Sequence, residues 1–226
     1  MNLYQDSNYY VCHKYKSRDE WRANRIQGIG GSDASTLVGR NPWKDNNTLW
    51  KEKKGTVIPE DISDKPYVKY GTEAEKHLRE LFALDFPEYE VQYMDNVLLR
   101  SISEPWMLYS PDGLIYERTT GLKGILEIKT TNILQSMQKE KWKDSLPMNY
   151  YIQVLHGLIV TGFDFVVLKA QLKTVYKDND IRIETKHYRF TREEKADDIE
   201  WLLREEKEQW KKYYKSNIEP PTILLL

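Results

Sequence analysis

Ser110-Pro111-Asp112-Gly113-Leu114-Ile115-Tyr116-Glu117 is followed, after one glycine-bearing turn, by Gly124-Ile125-Leu126-Glu127-Ile128-Lys129-Thr130. Period-2 alternation in the second run puts Glu127 and Lys129 on one face of a strand and Leu126 and Ile128 on the other. With Asp112 to Glu117 as a second strand, the loop from Arg118 to Lys123 closes an antiparallel hairpin. Pairing residues near 117 with residues near 124 sets Asp112 opposite Lys129, with Glu127 on the diagonal at about 7 to 8 Å. Two carboxylates and an ammonium then converge.

Acids held a few ångströms apart repel unless a divalent cation lies between them. An all-oxygen donor set selects a hard ion, Mg²⁺ with Mn²⁺ as its substitute. Such an ion polarises a phosphodiester and acidifies a bound water, and Lys129 is placed to orient that water or to steady developing negative charge. The pattern therefore points to phosphodiester hydrolysis. It also suits a plain turn and a solvated strand edge, because Pro-Asp-Gly is a common turn sequence and 31% of the chain is charged.

A third acid stands upstream in Tyr70-Gly71-Thr72-Glu73-Ala74-Glu75-Lys76-His77-Leu78-Arg79-Glu80-Leu81-Phe82. Ala74, Leu78, Leu81 and Phe82 fall at helical spacing, which predicts an amphipathic helix docked on a core. Glu75 falls at the margin of that buried face and Glu73 points outward. Glu75 thus either looks back toward the sheet or serves helix solubility. Further upstream, Gly28-Ile29-Gly30-Gly31 permits close backbone approach, and Ser32 suits the N-cap of a helix through Ala34, Leu37 and Val38. Free amides at a helix start favour an anion, whereas the charge of Asp33 opposes one. Downstream, Pro147 and Gly162 bracket a helix with an apolar stripe of Tyr151, Val154, Leu155, Leu158 and Ile159. Gln153 lies off that stripe with Tyr150 and Gly157, free to face a cleft or simply solvent.

In order along the chain stand Arg25, Gly28-Ile29-Gly30-Gly31-Ser32-Asp33-Ala34, Pro42-Trp43, Leu49-Trp50, Gly71-Thr72-Glu73-Ala74-Glu75, Ser110-Pro111-Asp112-Gly113, Leu126-Glu127-Ile128-Lys129 and Tyr150-Tyr151-Ile152-Gln153. This series, from about Arg25 to about Gly162, resembles the phage-type alkaline exonucleases, the lambda exonuclease and YqaJ viral recombinase group of the PD-(D/E)xK, restriction-endonuclease-like superfamily. The resemblance implies that Asp112, Glu127, Glu75 and the backbone carbonyl of Ile128 hold the metal and that Lys129 is the catalytic lysine. It implies that Gln153 lies beside the scissile phosphate and that Arg25 and Ser32 bind a 5′-terminal phosphate. The implied activity degrades one strand of linear double-stranded DNA from its 5′ end, leaving a 3′ single-stranded tail for recombination. A ring-shaped trimer, a single-strand annealing protein as partner, and a phage or prophage gene expressed in bacterial cytoplasm are implied as well. An endonuclease of the same fold, or a DNA-end-binding module that no longer cuts, are the alternatives.

Composition bounds this reading. A chain of 226 residues forms one domain of generous size, 1–226, with a motif-bearing core at about 25–172 and a C-terminal helix and tail at about 192–226. Cys12 is the only cysteine, which rules out an internal disulfide and a four-cysteine iron-sulfur cluster and suits a reducing compartment. No apolar run reaches about 18 residues and the first residues carry no signal core, so neither membrane insertion nor secretion is expected. The net charge of −1 gives no basic excess, so a DNA surface must come from local segregation of charge. Lys51, Lys53 and Lys54 form one candidate cluster; Lys139, Lys141 and Lys143 beside Trp142 form another.

The expected fold is α/β, a restriction-endonuclease-like core with a central mixed β-sheet flanked by helices. Helices are predicted over 18–24, 32–38, 46–54, 66–84, 132–141, 147–160 and 192–216. Strands are predicted over 90–100, 106–117, 124–130, 163–172 and 181–190, the last two joined by a turn at 177–180. In the long C-terminal helix Ile199, Leu202, Leu203, Trp210 and Tyr213 make one apolar side. The tail from Glu219 to Leu226 ends in aliphatic residues that need cover, which suggests a subunit contact.

Overall fold

The computed structural model describes residues 2–133, 136–143, 145–176 and 180–223, except the side chains of residues 136 and 137. Two sheets carry the strands. One is built from β1 (Tyr10–Lys14), β4 (Val97–Ser101), β5 (Met107–Tyr109) and the short β2 (Ile29–Gly30), in the order β1-β4-β5-β2. The other is built from β3 (Tyr89–Gln92), β6 (Gly113–Glu117), β7 (Lys123–Ile133), β8 (Phe165–Val175) and β9 (Ile181–Thr191), in the order β3-β6-β7-β8-β9. In the second sheet only β7 and β8 run parallel. A parallel neighbour requires a crossover, and the chain supplies it through α5 (Ser136–Glu140) and α6 (Met148–Thr161). The α/β class and the mixed sheet with flanking helices are thus as expected, but the strands divide between two sheets.

The division falls inside two runs that the sequence pattern presents as single strands. Over 90–100, the backbone leaves β3 after Gln92, passes through Asn96 at a φ of +53°, and enters the other sheet as β4. Over 106–117, Ser110-Pro111-Asp112 separates β5 from β6. Proline lacks the amide that a ladder needs, so Pro111 ends one strand and Asp112 sits at the mouth of the next. β7 extends to Ile133, into the predicted 132–141 helix, and among the described residues of that span Ser136–Glu140 is the helical part. Lys177, Asp178 and Asn179 of the predicted turn lie outside the described residues.

Residue spacing predicts one apolar side for helix α6. The helix is instead buried nearly all round, through Ile152, Val154, Leu155, His156, Gly157, Leu158 and Val160. The cause is its position. One apolar cluster contains α6 residues together with Tyr10, Leu99, Met107 and Tyr109 of the first sheet and Ile125, Val166 and Leu168 of the second. Helix α4 (Pro66–Asp85) lies against the other face of β7, where Leu78 and Phe82 join Ile115, Leu126 and Ile128 in a separate cluster. Leu81, which the helical spacing assigns to the same side, is 48% exposed. β7 is therefore covered on both faces, with odd-numbered Ile125 toward α6 and even-numbered Leu126 and Ile128 toward α4.

The remaining helices are α1 (Arg18–Arg25), α2 (Gly31–Leu37), α3 (Asn46–Lys53) and α7 (Ala196–Gln209), the last running on into a π-helical segment, Trp210–Lys215. The predicted 192–216 helix thus starts later and changes its winding near its end. Its apolar side is as read, with Ile199, Leu202 and Tyr213 buried and Leu203 and Trp210 packed against the core. The tail is fastened to the chain itself, because Asn46 of α3 donates to the Pro221 carbonyl at 2.9 Å and accepts from the Ile223 amide at 2.8 Å. The Ile223 side chain rests against Gly39, whose φ of +66° and absent Cβ make the room. This aliphatic residue finds cover within the molecule; Leu224, Leu225 and Leu226 lie outside the described residues. Among the described residues no helix is long and apolar enough to cross a membrane.

Candidate functional site

The hairpin closes in a register two residues from the expected one. Gly113 pairs with Leu126 and Tyr116 with Lys123, so one further step places Asp112 across from Glu127 instead of Lys129. The turn sets this. Glu117 donates its amide to the Leu122 carbonyl, and Gly121, at a φ of +77°, donates to the Glu117 carbonyl, leaving a loop of 118–121. A slip of two residues preserves the face of every side chain, so the acids and the lysine still meet. Asp112 Oδ2 accepts from the Ile128 amide at 2.8 Å, and Lys129 Nζ lies 2.7 Å from Glu127 Oε1.

Glu127 is only 1% exposed and its carboxylate is fully engaged. The Tyr109 hydroxyl donates to Oε2 at 2.7 Å, and the Gln153 amide nitrogen donates to Oε1 at 2.5 Å. Gln153 thus faces Glu127, the cleft side that its place off the apolar stripe allowed. Tyr109 had no sequence signal, since it stands on the other sheet. Its ring fits because Gly31 and Gly157 lack side chains; a Cβ on either would come within about 3 Å of it. The Lys129 ammonium also lies 5.3 Å from the centre of the Tyr150 ring.

Glu75 approaches from the opposite face of β7, because it is carried by α4 and not α6. Its Oε1 pairs with Arg79 at 3.0 Å, one helical turn on, and Arg79 also donates to the Asp112 carbonyl. Arg79 is buried, with its guanidinium carbon 3.4 Å from the centre of the Tyr93 ring. The i,i+4 spacing of Glu75 and Arg79 was visible in the sequence; the tie to Asp112 was not. Glu75, Asp112, Ile128, Lys129 and Thr130 line one cavity of about 280 Å³, completed by Tyr67, Val68, Gly71 and Thr72. The structure therefore brings together Asp112, Glu127, Lys129, Gln153 and, from the far wall, Glu75.

Charge in this pocket is out of balance. Burial, then the negative charges of Glu127 and Glu75, push the Asp112 carboxyl well above the usual range, against the pull of Lys129. Burial opposes charge on Lys129 too, but Glu127 and Asp112 outweigh it and raise its pKa, so the ammonium is retained. Among the described residues no three His, Cys, Asp or Glu side chains are already gathered as an ion cage. What is present is a pair of carboxylates, Glu127 buried and Asp112 half-buried, short of positive charge and offering oxygen donors only, which fits a hard dication such as Mg²⁺.

The N-terminal segment forms a second feature. Ser32 is the second residue of α2 and not its cap; Gly30 stands at the cap, and Asp33 reaches back to accept from the Gly30 amide at 3.1 Å. Asp33 also pairs with Lys53 at 2.7 Å, which neutralises the charge that would oppose an anion. Its carboxyl sits below the usual range because Lys53, Arg25 and the Gly30 amide outweigh the large effect of burial. The Ser32 hydroxyl accepts directly from the Arg25 guanidinium. Arg25 and Ser32 are thus adjacent, and Gln153 packs close enough to Gly31 that an added Cβ would stand 3.2 Å from its side chain. All but Lys141 of the two basic clusters are engaged within the molecule. Lys51 binds Glu219, Lys53 binds Asp33, Lys139 binds Glu184 and Lys143 binds Glu140, while Lys54 donates to the Tyr214 carbonyl.

Comparison with known proteins bears on the family and the fold. The chain is 34% identical over 174 residues to an uncharacterised protein, YqaJ, of Bacillus subtilis strain 168, an alignment covering 72% of this chain and 50% of that protein. The chain thus spans about half the length of the curated relative it matches. Its fold is similar to that of an alkaline exonuclease, LHK-Exo, from Laribacter hongkongensis, with a TM-score of 0.56, 17% identity, and coverage of 88% of this chain and 97% of that one. The same exonuclease in complex with dAMP gives a TM-score of 0.54 at 18% identity, covering 87% and 98%. The YqaJ-like viral recombinase domain matches residues 20–164, the span that holds every residue of the site, and the chain belongs to that family.

Proposed function

We propose that this chain is a metal-dependent exonuclease that hydrolyses one strand of linear double-stranded DNA from the 5′ end and leaves a 3′ single-stranded tail. The observation that carries the reading is the pair of carboxylates, Asp112 lining an open cavity and Glu127 buried beside the Lys129 ammonium that lines the same cavity. Support comes from the family and from the fold shared with an alkaline exonuclease, which in one structure holds dAMP, a deoxynucleotide monophosphate.

Asp112, Glu127 and the Ile128 carbonyl would hold Mg²⁺, or Mn²⁺ in its place, with Glu75 on the facing wall. The ion when bound supplies Lewis acidity and a more acidic water. Glu127 is held in one orientation by Tyr109 and Gln153, so little reorganisation accompanies the reaction. Lys129 lines the cavity with its ammonium 2.7 Å from Glu127 Oε1, which suits it to stabilise charge on a phosphoryl oxygen there. Arg25 and Ser32 would take the 5′-terminal phosphate and set which bond enters the cavity. A trimer around the duplex, an annealing protein as partner and action in the bacterial cytoplasm are part of the same proposal, resting on the family likeness.

The test is digestion of linear and covalently closed duplex with Mg²⁺ and with EDTA. Mononucleotide release from linear DNA alone, and only with Mg²⁺, is the expected result. Nicking of the closed circle would make the chain an endonuclease, and binding without any product would make it a non-cutting end-binding module.

A further inference from the structure

Helix α1 carries Arg18, Arg22 and Arg25 at spacings of four and three, so their side chains share one face. Of the acids in its first turn, Glu20 accepts from the Lys16 amide at 2.9 Å, and Asp19, three residues before Arg22, forms no ion pair with it. Trp21 lies beside this row. It is buried, anchored by an indole hydrogen bond of 3.0 Å to the Val97 carbonyl, and its ring carries the Arg18 guanidinium at 4.1 Å and that of Arg25 at 5.1 Å. Two cations are thereby held over one fixed ring instead of being free to separate.

Like charges at this spacing destabilise a helix unless something compensates them. Among the described residues, no carboxylate lies within ion-pairing distance of any of the three arginines. Asp61 senses Arg22, Asp33 senses Arg25 and Glu75 senses Arg18, all without forming an ion pair. Partial burial and the charges of Arg22 and Arg25 hold the Arg18 guanidinium below its ordinary pKa. Of the two lysine clusters, by contrast, all but Lys141 are engaged with carboxylates or a backbone carbonyl, so among these three basic groups the arginine row is the one open to a polyanion.

We infer that Arg18 and Arg22 extend the Arg25–Ser32 pocket into a track for the sugar-phosphate backbone, binding successive internal phosphates of the duplex beyond its 5′-terminal group. One end of the row meets Ser32, so the track starts at the Arg25–Ser32 pair and runs back along α1 through Arg22 to Arg18. Guanidinium groups make bidentate contacts to phosphate, and backbone contacts of this kind position a duplex without reading its sequence. The inference deepens the nuclease reading and rests on it.

Binding of a linear duplex is measured against salt concentration with Ca²⁺ in place of Mg²⁺, for the wild type, Arg22→Gln and the double variant Arg18→Gln/Arg22→Gln. Arg22 is exposed and its single substitution guards against a variant that misfolds through loss of the Arg18–Trp21 stack. Each phosphate that a variant leaves without its arginine should lower the slope of log affinity against log salt by about 0.9. Affinity should fall alike for 5′-phosphorylated and 5′-hydroxyl ends, leaving their ratio unchanged. Lys139→Gln/Lys143→Gln, which removes two paired cations, should leave the slope as it was. An unchanged slope in the arginine variants of a wild type that cuts linear duplex overturns the track alone, as does an equal drop in the lysine variant. A wild type that neither binds duplex nor cuts it with Mg²⁺ overturns the nuclease reading as well.

Discussion

The Tyr109 hydroxyl donates to Oε2 of Glu127 across 2.7 Å, joining the first sheet to the central strand of the second at a buried carboxylate. Tyr109→Phe keeps the ring between Gly31 and Gly157 and removes only this bond. Glu127 retains Gln153 and Lys129, so a stability loss of about 1 kcal/mol is expected in urea unfolding. A drop in cutting rate larger than that loss, with little change in DNA affinity, would place Tyr109 as a positioning residue for Glu127; wild-type kinetics would assign it to packing only.

Glu127→Gln preserves shape and removes the charge that, with Asp112, raises the pKa of Lys129. The variant should fold and should lose metal binding, read as loss of the Mn²⁺-dependent shift in melting temperature. Unaltered Mn²⁺ stabilisation would show that the ion, if bound, sits away from Glu127.

The ring of His156 faces only acceptors. Nδ1 lies 3.0 Å from both oxygens of Glu206, and Nε2 lies 3.0 Å from the Leu108 carbonyl, so the imidazolium satisfies both sides. Burial pulls the His156 pKa down, but the charge and hydrogen bonds of Glu206 outweigh it, and the folded value is raised. A raised folded pKa gives stability that is complete below the unfolded value of about 6.5 and fades as pH rises through the folded one. Glu206→Gln removes the cause and strands a buried ring. It should cost about 3 kcal/mol near pH 6 and less at alkaline pH. Unfolding curves for wild type and variant that stay parallel from pH 6 to pH 9 would contradict this.

Arg25→Ala removes the donor to Ser32 and one cation from the face of Trp21. Preference for a 5′-phosphorylated over a 5′-hydroxyl end should fall about tenfold to a hundredfold, equivalent to about 1.5 to 3 kcal/mol for a charged hydrogen bond. Equal cutting of both ends by the unmodified protein would remove the phosphate-pocket assignment.

Glu127 and Lys129 on β7 were legible because alternation in a strand fixes the face of a side chain whatever the exact pairing. The register was not, since it depends on how the turn at Gly121 closes, and that is local geometry rather than pattern. The two sheets were hidden for a related reason: β5 and β6 read as one apolar run, and only Pro111 hinted at the break. Partners brought from a distance left no trace in the sequence. Tyr109 stands 18 residues from Glu127 and His156 stands 50 from Glu206, and nothing local to either residue demands the other. Gln153 was legible as a polar position on a mostly apolar helix, but its target required the helix to lie between the sheets.

Digestion of 5′-end-labelled linear duplex by the wild type and by Asp112→Ala and Lys129→Ala is the most direct measurement. The wild type should release labelled mononucleotide only with Mg²⁺ or Mn²⁺. Both variants should bind the duplex yet cut at least about a thousandfold more slowly, a barrier increase of about 4 kcal/mol. Cutting by either variant at the wild-type rate would contradict a hydrolytic centre built on Asp112, Glu127 and Lys129.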